Sequence, residues 1–384
     1  MPQLNVDAAS TATITLTWAE LAGFAAAASV GTLLAVQFLR DIGAARYLSR
    51  SWRIVSLWPF RSTVRATAAD PVLAGVELGG TTSVAAIAVG RAANIVESVE
   101  VPTEGPEETV QRLAEWLRDK HEECGGLAAL GIATFGPVNV SGTVINNAQY
   151  GVLGRTPKPR WAGFALIPAF THALSLTHPL PMRVDTDVNA PAVAEARHDG
   201  RCARRRVVVY VTVGTGVGVG AFVHGAALHG RLHPEGGHVY APRQAGDAYP
   251  GACSLHGDCL EGMLCARALA ERAGVSPAQL PQLSDEHVVW DTAAYYLAHL
   301  CVSIACLLAP ERIVLGGGIL KRVSLYERVW KYFDALVNGY LGETLHAAEY
   351  IVAPRYGDRA GIVGACDLAQ LAYAEVARSS RRRR

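Results

Sequence analysis

The chain has 384 residues, half of them hydrophobic and 18% charged, with a formal charge of +1 at pH 7. That length allows one large domain or two moderate ones around a real core, and the apolar content excludes a disordered chain. A charge so close to zero excludes a protein drawn to nucleic acid by its overall field.

Residues 1–70 differ from the rest. Leu21 to Leu39, LAGFAAAASVGTLLAVQFL, carries no charge and is long enough to cross a bilayer. Arg40, Arg46, Arg50, Arg53, Arg61 and Arg65 follow, against Asp41 and Asp70. Three readings stand: a membrane anchor, a targeting segment that is later removed, or an extension without catalytic consequence. Segment 21–39 is the only stretch expected to meet a membrane. The tail Arg381 to Arg384 reads as a solvated terminus.

From Val72 the pattern is alternating α/β. VLAGVELGGTTSVAAIAVG reads as two strands around Gly79-Gly80, and Pro106 to His121 as a helix that opens on proline and acids and closes on bases. Leu127 to Val140 reads as strand, turn, strand. A strand at Met182 to Val184 leads into a helix beginning near Asn189. The second half repeats the design. Arg206 to Gly225 is strand, glycine turn, strand; helices are expected at Glu261 to Gly274 and Glu286 to Leu308. Arg312 to Leu320 is a strand running into glycines, and helices follow at Leu325 to Leu341 and Ile362 to Arg378. Two halves that open alike suggest a duplicated architecture with a cleft between them.

Three glycine clusters lie at strand ends: Gly79-Gly80-Thr81-Thr82, Gly214-Thr215-Gly216 and Gly316-Gly317-Gly318. Glycine lets backbone N–H groups approach a polyanion closely, so three such turns point to nucleotide binding. None of them matches a Walker A or Rossmann pattern. With ELGGTT, GIATFGPVNV, DTDVNA, GTGVGVGAFVHG, HPEGGH and VLGGGI in this order, the chain resembles the ROK group of sugar kinases and repressors. TPKPRW (Thr156 to Trp161), Tyr150-Gly151 and CSLHGDCLEG (Cys253 to Gly262) resemble its bacterial-type fructokinases.

The resemblance spans about Val72 to Tyr373 and implies a two-lobed, actin-like ATPase (ribonuclease H-like) α/β fold with a zinc-binding loop. The first lobe is expected at 71–187, with helix 364–378 packing back on it, and the second at 188–363. Phosphoryl transfer to a sugar hydroxyl needs positioning, charge neutralisation and one base. The resemblance implies Asp187 as that base, and Asn189, Glu235 and His238 as sugar ligands. Asp185 is read as structural, and both acids are also suited to capping the helix that follows. Glu77 is expected to position metal or water near the phosphates. Thr82 stands where fructokinases often carry lysine, which removes a charged contact.

Cys253, His256 and Cys259 are spaced so that one tight turn aims all three at a point, and His238 lies fifteen residues upstream of Cys253. Two cysteines and two histidines make a structural Zn2+ set; a Cys253–Cys259 disulfide is the rival. The resemblance places zinc on these four positions, pinning the loop with Glu235 and His238, so that its loss should damage sugar binding before nucleotide binding. The other cysteines (124, 202, 265, 301, 306 and 366) read as single buried thiols.

The expected activity is ATP-dependent phosphorylation of fructose to fructose 6-phosphate, with ATP, Mg2+ and Zn2+ as cofactors and no nucleic-acid partner. Another hexose kinase of the group, acting on glucose, mannose or N-acetylmannosamine, is the alternative; a non-catalytic sugar sensor is a third reading. The group's repressors carry a helix-turn-helix ahead of the kinase-like domain, and here an Ala-rich apolar run stands in its place. A cytoplasmic homodimer is expected, with Tyr295 to Leu308 and Val329 to Leu341 as a candidate dimer face, unless residues 1–70 direct the chain elsewhere.

Overall fold

The structure is a computed structural model that describes residues 53–56, 67, 70–142, 147–156, 158–198, 207–342 and 345–382. The apolar segment 21–39, Cys202 and the last two arginines lie outside the described residues. Arg53–Arg384 forms one compact unit.

Its first sheet is built around a hairpin. β2 (Val72–Leu78) pairs antiparallel with β3 (Thr82–Val89), and β3 with β4 (Ile95–Pro102). β1 (Arg53–Ser56) closes the edge against β4. By sequence those four residues fall in the extension, and β4 carries no clear strand signal. Alternation in IVESVEVP is broken by half-covered Glu97, which stands on the same face as buried Val99 and Val101. On the other side β5 (Ala129–Thr134) and β6 (Met182–Thr186) run parallel to β2, giving the order β1-β4-β3-β2-β5-β6. β5 is buried on both faces, as a central parallel strand must be.

The second sheet repeats the plan. β7 (Val207–Val213) and β8 (Val217–Val223) form the hairpin, β9 (Ala226–Ala227) follows β8, and β10 (Arg312–Gly316) and β11 (Ile351–Val352) add parallel strands beyond β7. Duplication expected from the sequence is therefore present in the strand order.

Helices fill the connections. α1 (Pro106–Cys124) opens on proline and Glu107-Glu108 and ends at Gly125, which takes a left-handed φ of 74°. α2 (Leu166–Leu174) precedes β6 and α3 (Asn189–His198) follows it. The expected helix at 261–274 is two helices, α4 (Leu260–Leu264) and α5 (Ala266–Ala273), separated where Cys265 takes an extended conformation. α6 (Val289–Leu308) is long and apolar enough to span a membrane. Here it lies in the second lobe's core, with Trp290, Tyr296, Leu297, Leu300 and Cys301 buried against α7 (Ser324–Val337). The short α8 (Ala347–Tyr350) leads into β11.

α9 (Ala360–Arg382) rests on β2 and β5 and against α3. A side chain at Gly131 of β5 would meet the Ala365 carbonyl oxygen at 1.9 Å, so only glycine admits this approach. Two sequence expectations fail in this region and the next. Residues 135–140 form no strand, because the chain after β5 turns into the cleft and keeps only a bridge from Val138 to Leu153. Cys306, on the outward side of α6, is exposed, unlike buried Cys124, Cys265, Cys301 and Cys366.

Candidate active site

Parallel strands β2, β5 and β6 end at one edge, and their register brings Glu77, Ala133 and Asp185 level with one another. Asp187 follows β6 directly and donates its backbone N–H to the Thr134 carbonyl at 2.8 Å. Capping of α3 falls to its neighbour, since the Thr186 hydroxyl accepts the Asn189 N–H at 3.0 Å. That releases the Asp187 carboxylate from structural duty. Among the described residues it makes no ion pair.

Asp185 is used differently. Buried to 1% exposure, its carboxylate accepts the Thr186 N–H at 2.8 Å, the Asn189 side-chain amide at 2.8 Å and the His229 ring at 3.1 Å, all on Oδ1. Asn189, expected to hold substrate, is fully buried, and its amide oxygen takes the Ala221 N–H of β8 at 3.0 Å. With its surface enclosed and its amide used in both directions, it ties the two sheets together.

The three glycine turns converge from different elements. Gly79-Gly80 joins β2 to β3, Gly214-Thr215-Gly216 joins β7 to β8, and Gly316 ends β10. A side chain at Gly80 would lie 3.9 Å from the Thr215 hydroxyl oxygen, and one at Gly214 would lie 3.8 Å from the Gly318 nitrogen. Gly317 has φ 92°, and a side chain there would strike the Val213 carbonyl oxygen at 2.4 Å. Thr81 accepts a backbone bond from Thr103, and Thr82 opens β3 with an exposed side chain.

After β9 the chain leaves the second sheet as loop 228–238 and touches the first lobe twice. His229 reaches Asp185, and His233 accepts the Val138 N–H on its Nε2 at 3.1 Å. That acceptor role places the His233 proton on Nδ1, which faces the Pro234 carbonyl at 3.3 Å and Glu235 Oε1 at 3.5 Å. Glu235 lies beside Gly136, whose added side chain would come within 3.2 Å of its Oε1.

His238 ends the loop in a short 3-10 turn, Gly236–His238. Its Nδ1 lies 3.5 Å from Cys259 Sγ, 3.9 Å from Cys253 Sγ and 3.2 Å from His256 Nδ1; Cys253 Sγ and His256 Nδ1 are 3.8 Å apart. All four donor atoms fall within 4.8 Å of one another. Tetrahedral zinc with usual bond lengths sets its ligand atoms about 3.3–3.8 Å apart, so this donor set fits the ion. Cys253 and Cys259 are free thiols. Two residues beyond Cys259, Glu261 accepts the Val217 N–H at 3.1 Å, and a side chain at Gly216 would meet that same carboxylate. The cysteine loop thus reaches the second glycine turn as well as the His238 loop.

Carboxylates dominate the cleft's electrostatics. Burial first, and then the charges of Glu77 and Glu235, push Asp187 up to about 8. Burial, with Glu100 nearby, pushes Glu77 up to about 7. Glu235 is also raised, chiefly by burial. A base accepts a proton only when ionised, so turnover is expected to fall on the acid side of the Asp187 value. Below it, kcat/KM for the sugar should drop about tenfold per pH unit. A pH profile that stays flat from 5 to 9 would contradict the assignment.

A pair of related hairpin-led sheets, with glycine turns from both meeting at a cleft, is the architecture of the actin-like ATPases. Comparison with known proteins narrows it. The ROK family model matches residues 73–372. A putative fructokinase of Bacillus subtilis is 35% identical over 305 residues, which cover 78% of this chain and 96% of that protein. A fructokinase of Streptococcus mutans is 33% identical with the same coverage. The solved ROK hexokinase from Thermus thermophilus superposes with a TM-score of 0.63 at 27% identity, covering 79% of this chain and 99% of its own. The chain belongs to the ROK family, among its sugar kinases.

His229, Thr186 and the hydrogen-bonding role of His233 escaped sequence reading. A single histidine in GAALHG carries no pattern, and its partner, Asp185, is 44 residues away.

Proposed function

We propose that the protein transfers the γ-phosphoryl group of ATP to the 6-hydroxyl of D-fructose. The observation that carries the reading is the Asp187 carboxylate, unpaired among the described residues and raised in pKa, in the cleft where the lobes' loops meet. The fructokinase names of the two relatives support fructose, and TPKPRW adds to them.

In this reading the sugar lies between Asp187 and Glu235, with His238 offering only its Nε2, since Nδ1 faces the cysteines. Asn189 supports this pocket from behind. The 6-hydroxyl oxygen bonds to the γ-phosphorus, the bond from that phosphorus to the β–γ bridging oxygen breaks, ADP leaves, and the hydroxyl proton passes to Asp187. The turns at 79–82, 214–216 and 316–318 hold the phosphates through backbone N–H groups and threonine hydroxyls. Mg2+ bound with the nucleotide neutralises phosphate charge, held mainly by phosphate oxygens and water. Zn2+ at His238, Cys253, His256 and Cys259 has a structural task. We further assign lobes 71–187 and 188–363, with 364–378 returning to the first, and a homodimer supported by Leu307 and Tyr340, which are 82% and 87% exposed.

ADP release measured over a panel of hexoses tests the reading. Fructose should give the highest kcat/KM. A preference for glucose, mannose or N-acetylmannosamine overturns the substrate and keeps the reaction; no turnover with any hexose overturns both.

A further inference from the structure

We propose that His229 is a positioning residue that sets the distance between the proposed base, Asp187, and the sugar-binding loop. This rests on the reading of Asp187 and Glu235 given above. His229 stands at the start of loop 228–238, which grows out of the second sheet. The base stands on the first sheet, one residue beyond the end of β6. Two surfaces on different lobes must hold one sugar, so something has to fix their separation.

The His229–Asp185 contact does this two residues from the base. Asp185 is two residues before Asp187 and is immobilised by Thr186 and Asn189. An ionised carboxylate can only accept, so His229 Nε2 carries the proton and donates. It hydrogen-bonds Oδ1 at 3.1 Å and lies 3.0 Å from Oδ2. Oδ2 makes no hydrogen bond among the described residues, and its one polar contact is the His229 ring nitrogen, so removing His229 would leave this buried oxygen without any. Asn189 binds the same carboxylate and Ala221 of β8, the strand that leads to this loop. Asp185 is therefore the knot of a bracket: base turn, Asn189, β8, loop, His229 and back.

The bracket also explains the second contact. His233 to Val138 anchors the loop's middle, with Glu235 two residues on. With both anchors made, Glu235 and Asp187 are held close enough to feel each other's charge. Loss of the first anchor lets the loop shift relative to the base, and displacements of about 1 Å cost on the order of 100-fold in rate.

The test uses the full-length enzyme carrying His229→Ala and, separately, His229→Gln, whose amide N–H can replace the ring donor. For His229→Ala we expect kcat/KM for the sugar to fall about 10- to 100-fold, KM for ATP to stay within about twofold, and zinc content to be unchanged. For His229→Gln most of the loss should be recovered. Should His229→Ala fail to fold, Asp185→Asn carries the test and should show the same split between sugar and ATP. The proposal is overturned by a His229→Ala enzyme with wild-type sugar kinetics, by equal damage to both substrates, or by no recovery in His229→Gln. Turnover retained in Asp187→Ala would instead strike at the base assignment.

Discussion

Asp187→Ala is expected to lower kcat by about 10²–10⁴-fold, the usual worth of a positioned general base. KM for ATP should change little, because the glycine turns do not depend on this side chain. The structure sharpens the expectation, since helix capping belongs to Thr186 and not to Asp187. Removing the carboxylate should therefore leave α3 intact. The stability change should carry the opposite sign. Folding raises the Asp187 pKa from its ordinary value to about 8, so between roughly pH 4 and 8 the folded state holds more protons than the unfolded one. Stability from this group is consequently present at low pH and lost as pH rises through that window. Asp187→Asn removes the penalty, and its melting temperature at pH 8–9 should exceed that of the wild type by a few degrees. The gain should vanish near pH 4. Scanning calorimetry at both pH values, alongside turnover, checks the pair of outcomes. A variant that is both active and less stable would defeat the assignment.

Stripping the metal from the cysteine loop is expected to do more harm than the sequence suggested. Metal analysis should find one zinc per chain, and Cys259→Ser should abolish it, since Cys259 is buried and shares the cluster with His238. Binding to a structural site is folding free energy. Loss of the ion should lower the melting temperature on the order of 10 °C. The sequence implied that sugar binding would fail first. Glu261, however, hydrogen-bonds the strand start beside Gly216 and lies on the helix that Cys259 begins. KM for sugar and KM for ATP should therefore both rise. A metal-free protein with unchanged melting temperature and kinetics would remove zinc from the account.

Much of the fold was legible because hydrophobic periodicity and glycine placement act locally. β2, β3, β7, β8 and α1 lie where their apolar patterns and end signals place them. Longer apolar runs misled at 261–274, where periodicity continues across Cys265 but the backbone does not. β4 carries no clean period-2 signal because Glu97 interrupts its buried face, and β1 none because an edge strand takes its identity from its partner.

In the site the division is similar. Cys253, His256 and Cys259 are close in sequence, and their residue types limit what they can bind. The family resemblance singled out Asp187 as the candidate base, and residue type marked the three glycine clusters as phosphate contacts. What the sequence by itself determined, then, was the strand and helix plan, the family, and the chemical inventory of the cleft. Tertiary structure decided which of those groups are spent and which are free. It enclosed Asn189 between two sheets, gave capping to Thr186, joined the cysteine loop to the second glycine turn through Glu261, and set His229 against Asp185. Those outcomes depend on contacts between residues tens of positions apart, where backbone packing chooses the partner and local propensity has no say.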